Sequence, residues 1–196
     1  MSLGTRSYWI LVLVYVVVLL SVQPFLGYGI DFFKETWGEA ALNRTAYVLV
    51  AFGAIIMVAI GSHLWRRTTA RDRGLIVVSL LLYVAGTLTA RFPQERLHYL
   101  GYGLLAGLLY AGWKGAAGAP TATIAGRKEW LRPALLAILV GSAIGLLDEL
   151  LQILWPRRYF DWADVSINVL SVAVGVMVAI PVVNALLRDR VAEDQR

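Results

Sequence analysis

Six long apolar runs, separated by short polar stretches, organise this chain. They cover residues 8–26, 45–64, 74–90, 97–113, 134–155 and 162–187. An α-helix rises about 1.5 Å per residue, and a bilayer core is about 30 Å thick, so runs of this length predict membrane-crossing helices. The runs are continuous and do not alternate with polar residues, which fits helices and not the strands of a β-barrel. The third run is the shortest, and whether it spans decides the direction of everything after it. The expected fold is all-α: a polytopic transmembrane bundle of about six helices, forming one integral membrane domain over residues 1–196.

The connecting stretches refine this picture. Arg6 followed by an apolar run resembles the start of a signal peptide, but the next residues, SVQPFLGYG, offer no small-x-small cleavage site. An uncleaved anchor is expected. Residues 27–44, with Phe32, Phe33 and Trp37, predict a short helix lying on the membrane surface. Residues 115–123, rich in Gly, Ala and Thr, predict a flexible loop. Gly103 and Gly107 form one GxxxG pair and Gly141 and Gly145 another, a spacing that lets helices approach closely. His63, beside Trp65-Arg66-Arg67, reads as interfacial.

Composition supports the pattern. Hydrophobic residues make up 59% of the chain and charged residues only 16%, the latter gathered between the runs. Mean hydropathy is +0.67. Cysteine is absent, which excludes disulfides, thiolate metal sites and a cysteine nucleophile. The net charge of +5 fits basic loops at an anionic membrane surface, and no nucleic-acid motif accompanies it. With the N-terminus cytoplasmic, that side holds Arg6, Arg66, Arg67, Arg71, Arg73, Lys114, Arg127, Lys128, Arg132, Arg188, Arg190 and Arg196, 12 of the 18 Lys and Arg residues. The bias predicts both termini inside and the loops at residues 91–97 and 156–162 outside.

Two polar stretches flank those outer loops. Ionisable groups in a bilayer cost at least ~2.5 kcal/mol each on insertion scales, so they usually face the bundle interior. In the first stretch, Glu95, His98, Tyr99 and Tyr102 fall at i, i+3, i+4 and i+7 and are expected to share a helix face. The plain alternative is an interfacial belt with His98 merely solvated. In the second, Asp148, Glu149 and Gln152 interrupt the fifth run, and Asp161, Asp164, Asn168, Ser171 and Gly175 form a polar or small stripe on the sixth. Pro156, Arg157 and Arg158 occupy the turn between them. Glu149 lies six residues before Trp155 and Asn168 six after Trp162, so both are expected about 9 Å below the turn. This predicts a polar pocket with an acidic floor and a mixed-charge rim. The competing account is a hydrogen-bond network that simply holds two helices together, with Arg158 paired to Asp161 or Asp164.

The second stretch resembles the signature of VanZ-like membrane proteins: Glu149, Gln152, Pro156, Arg158, Asp161, Asp164, Asn168 and Gly175 follow its spacing. His98 and Tyr102 match its upstream His-x-x-x-Tyr element, so the resemblance covers residues 95–175. Ser171 stands where glycine is usual, and Gly101 at a position often acidic in one subgroup. The resemblance implies a multi-pass protein of the bacterial cytoplasmic membrane acting at the cell envelope, and a link to teicoplanin sensitivity.

Three functions follow as expectations. The pocket binds a polar headgroup, such as that of a lipid-linked cell-wall precursor, with Arg157 and Arg158 on phosphate and Glu95, His98, Tyr102, Glu149, Gln152, Asp161, Asp164 and Asn168 around the rest. Alternatively, His98 or Glu149 is the general base of a membrane-embedded hydrolase or transferase, with Glu95, His98, Asp161 or Asp164 as ligands for a divalent metal. Or Asp148 and Glu149 relay protons in a small carrier. No HExxH, GxSxG or P-loop motif is present, and no cofactor is indicated.

Overall fold

The computed structural model describes residues 5–116, 130–155 and 158–194. Six α-helices follow one another among these residues: α1 (Thr5–Trp37), α2 (Glu39–Leu64), α3 (Ala70–Thr89), α4 (Pro93–Ala116), α5 (Leu131–Gln152) and α6 (Trp162–Asp194), with a short 3-10 turn at Trp65–Arg67. No strand occurs among the described residues. Each apolar run thus has its own helix, although the fifth run outlasts α5 by three residues. The loop expected at residues 115–123 falls almost wholly outside the described residues.

Among the described residues, four helical stretches are long and apolar enough to cross a membrane: Glu39–Arg67, Ala70–Thr89, Leu131–Gln152 and Trp162–Arg188. A fifth follows if the two halves of α1, Arg6–Val22 and Phe25–Trp37, count as one span; they meet at 56°. The bend coincides with Pro24 in the sequence, which supplies no backbone donor to a helix. Residues 27–44 are not one surface helix. They are divided between α1 and α2 by Gly38, whose φ of +83° is a conformation open to glycine and strained for other residues. Its N–H bonds to the Lys34 carbonyl at 2.8 Å and closes α1.

The helix missing from that set of spans is α4, and it is the centre of the bundle. It touches all five other helices. Tyr102, Leu105, Ala106, Leu109 and Tyr110 on α4 are at most 3% exposed and form the core with Ala137 of α5 and Val172 and Val176 of α6. A helix wrapped by its neighbours needs little apolar surface of its own, which is why its five glycines, three tyrosines and Lys114 lower its hydropathy without exposing polar groups to lipid.

Both GxxxG pairs face α6. A Cβ on Gly103 would meet the Ser171 carbonyl oxygen and Gly175 Cα, and one on Gly107 the side chain of Ala179. Cβ atoms on Gly141 and Gly145 would press on Val172 and Asn168. The closest approach is at Gly175, where a Cβ would overlap the backbone of Gly103. Helix α1 is tied on by two tyrosines: Tyr8 donates to the Leu108 carbonyl at 2.6 Å and Tyr15 to the Gly101 carbonyl at 2.9 Å. A hydroxyl facing an apolar surface needs such a partner.

At the opposite end from the polar stretches, Thr69 and Asp72 form a capping box that starts α3. Arg188 near the end of α6 reaches Asp72 at 3.5 Å and the Arg67 carbonyl at 3.2 Å.

Candidate functional site

The polar residues converge where α4 and α6 begin and α5 ends. His98 Nδ1 lies 2.5 Å from Asn168 Oδ1, and Asn168 Nδ2 donates to the Gly145 carbonyl at 3.2 Å. Three helices are therefore joined through one side-chain amide. Tyr102 donates to Asp148 Oδ2 at 2.7 Å, linking α4 to α5 a second time. The His98 and Tyr102 rings stack at 5.8 Å and 22°, as their i, i+4 spacing allows.

Glu149 is wholly buried and engaged at both oxygens. Gln152 donates to Oε1 at 2.5 Å, and the Asp161 backbone N–H approaches Oε2 at 3.5 Å. This corrects the depth expected for Glu149. Helix α5 ends at Gln152 and not at Trp155, so Glu149 is about 4.5 Å from the helix end. It sits level with the start of α6, and Gly145, one turn deeper, is the residue opposite Asn168.

Asp148, Glu149, Gln152 and Asn168 are each 2% exposed or less. Among the described residues expected in the site, only His98, Tyr102 and Arg158 line the adjoining cavity of about 90 Å³, together with Leu19, Leu26, Leu97 and Gly101. The buried four do not line it; Asn168 and Asp148 reach it only through their bonds to His98 and Tyr102. Asp164 is half-buried, within electrostatic range of His98, Glu95, Asp161 and Arg158. Asp161 is exposed and accepts from the Ala163 N–H at 2.8 Å, the action of a cap on α6. Arg157 and Pro156 lie outside the described residues.

Several residues do not sit as expected. Glu95 turns back along the chain, and its Oε2 accepts from the Arg91 N–H at 2.6 Å. Tyr99 does not share the face of His98 and Tyr102. It packs edge-on against Tyr83 of α3, with centroids 6.1 Å apart, because i+4 from Glu95 turns it past the cavity. Ser171 donates to the Ile167 carbonyl of its own helix at 2.6 Å. Among the described residues, no three of His, Asp and Glu gather closely enough to hold a metal ion, so Glu95, His98, Asp161 and Asp164 form no such set.

Two contributions escape the sequence reading. The cavity wall formed by Leu19 and Leu26 comes from α1, which the polar patterning never touches. The second is Arg96, 5% exposed. It donates to the Thr87 and Ala90 carbonyls, Asn43 Oδ1 and the Tyr47 hydroxyl, all at 3.1–3.2 Å, and its guanidinium lies 4.3 Å from the Tyr47 ring centre. It locks α2 and α3 onto the start of α4 and so holds His98 in register.

Comparison with known proteins places this arrangement. Neither the curated proteins nor the solved structures give a match. A family model described as VanZ/LLP1 matches residues 7–184, almost the whole chain and well beyond the stretch that carries the resemblance in sequence. The helical bundle with its convergent Glu149, Asn168 and His98 is that of a membrane protein, and the chain belongs to the VanZ/LLP1 family.

Proposed function

We propose that this protein binds the polar end of an envelope lipid, in a cavity between α1 and α4 closed at the rear by the α5–α6 hairpin. The observation that carries this reading is the mixed wall of the cavity: Arg158, His98 and Tyr102 beside Leu19, Leu26 and Leu97. A cationic guanidinium next to aliphatic side chains suits a phosphate-bearing headgroup whose chains continue along apolar helix surfaces. At about 90 Å³ the space is far below the ~300–1,000 Å³ of a site that encloses a whole ligand. It accommodates one headgroup fragment, with the remainder of the lipid outside. A membrane phospholipid or the phosphate end of a lipid-linked cell-wall precursor meets that description.

Six membrane crossings, with both termini on the cytoplasmic side of a bacterial membrane, fit this reading. Helix α4 has 24 residues, about 36 Å, and is shielded from lipid by its neighbours. The basic residues Arg66, Arg67, Arg73 and Arg188 gather at the end away from the cavity, which the positive-inside rule assigns to the cytoplasm. The cavity then opens toward the outer leaflet. Occupancy of envelope lipids there is a route to altered teicoplanin sensitivity.

A second reading has one observation in its favour. His98 lines the cavity beside Arg158, an arrangement that would also serve a hydrolase or transferase acting on a phosphate ester. The test is to extract lipid from purified protein and quantify it per mole. Binding predicts near-stoichiometric phospholipid in the wild type and at least a ten-fold loss in Arg158→Ala. Equal lipid in both proteins contradicts it, and turnover of the extracted lipid would favour the enzyme.

A further inference from the structure

The orientation of one amide determines where a proton sits on His98. A backbone carbonyl has no hydrogen to donate, so the Asn168 atom 3.2 Å from the Gly145 oxygen is the NH₂ nitrogen; a flipped amide would set two acceptors against each other. The Asn168 atom facing His98 is then Oδ1, which can only accept. Nδ1 therefore carries a hydrogen. In the neutral imidazole this leaves Nε2 with a lone pair and no proton.

The ring is held in that state from two sides. Asn168 is 0% exposed and cannot be relieved by water. Tyr102 stacks on the imidazole and is itself tied to Asp148. No described residue hydrogen-bonds to Nε2, and His98 is half-buried at the cavity wall beside Arg158.

We infer that Asn168 is a positioning residue that fixes His98 as the Nδ1–H tautomer, so that Nε2 accepts a hydrogen bond from a ligand that carries an N–H or O–H donor next to its phosphate. The chemistry selects among headgroups. A primary ammonium or a hydroxyl can satisfy Nε2, whereas the quaternary ammonium of phosphatidylcholine has no hydrogen to give. The ligand half of this inference rests on the lipid reading above; the tautomer half does not.

The experiment uses full-length protein with ¹⁵N-labelled histidine. The chain has two histidines, His63 and His98, so His63→Gln leaves one ring to observe. The wild-type background is reconstituted in phosphatidylcholine alone and with added phosphatidylethanolamine, at a pH where titration shows the ring neutral. The expected spectrum has a protonated Nδ1 and an unprotonated Nε2, and phosphatidylethanolamine shifts the Nε2 resonance. A protonated Nε2 in either lipid overturns the tautomer assignment even if lipid co-purifies. The expected tautomer with identical Nε2 resonances in both lipids overturns the donor preference. Asn168→Leu removes the acceptor and is expected to let the proton move to Nε2, and a Leu variant that folds and still shows only Nδ1–H contradicts the positioning role.

Discussion

The Tyr102 hydroxyl donates to Asp148 Oδ2 at 2.7 Å, and each residue is 1% exposed. The pair fastens α4 to α5 directly behind the cavity, in surroundings where water cannot substitute for a lost partner. Tyr102→Phe keeps the ring that stacks on His98 and removes only the donor. It is expected to destabilise the protein by about 1–3 kcal/mol, the cost of depriving a buried acceptor of its hydrogen bond. Thermal or denaturant unfolding in detergent measures this. An unchanged midpoint would mean that the bond contributes nothing.

Two glycines in helices should respond to alanine with opposite signs. At Gly175 the added methyl would overlap the Gly103 backbone, which has no rotamer to move aside. Overpacking costs about 1–3 kcal/mol against a helix-propensity gain of about 0.5–1 kcal/mol, so Gly175→Ala is expected to destabilise. At Gly74 a methyl would meet nothing within 4 Å, so only the propensity gain remains and Gly74→Ala is expected to stabilise. Comparison of the two melting temperatures checks both.

Arg96 is held by two carbonyls and two neutral side-chain oxygens spread over α2, α3 and the α3–α4 turn. A lysine retains the charge but not the planar fork that reaches several acceptors at once. Arg96→Lys is expected to cost about 2–5 kcal/mol, from buried carbonyls left without donors. Size-exclusion chromatography after stepped heating reads the loss. Wild-type behaviour would show that the charge alone suffices.

These residues also mark how far the sequence could be read. The helices were legible because each apolar run is continuous and long. The convergence of His98, Tyr102, Asp148, Glu149 and Asn168 was legible because carboxylates and amides inside such runs have to face inward. Arg96 was not legible, since beside Arg91 and Glu95 it reads as one more loop charge. Its burial depends on Asn43 and Tyr47, some fifty residues earlier. The central place of α4 was hidden for a related reason: its run reads as one crossing among six, and only the packing of five neighbours around it shows that it is the core. The depth of Glu149 was misjudged by about one turn because the apolar run continues to Trp155 after the helix has ended.

The direction of the cavity can be tested with a single cysteine, since the chain has none of its own. Tyr159 is 83% exposed in the α5–α6 connection. Tyr159→Cys is expected to react with a membrane-impermeant maleimide on intact cells, and Arg66→Cys only after permeabilisation. The reverse pattern would turn the cavity toward the cytoplasm.

Native mass spectrometry of the detergent-released protein shows whether the cavity itself holds the lipid. Leu19→Trp fills the cavity with an indole and leaves every polar residue in place. Arg188→Ala removes a basic residue at the far end. Lipid held in the cavity gives a phospholipid adduct on the wild type and on Arg188→Ala, reduced at least ten-fold on a folded Leu19→Trp. An adduct of undiminished intensity on Leu19→Trp, or none on the wild type, would contradict it.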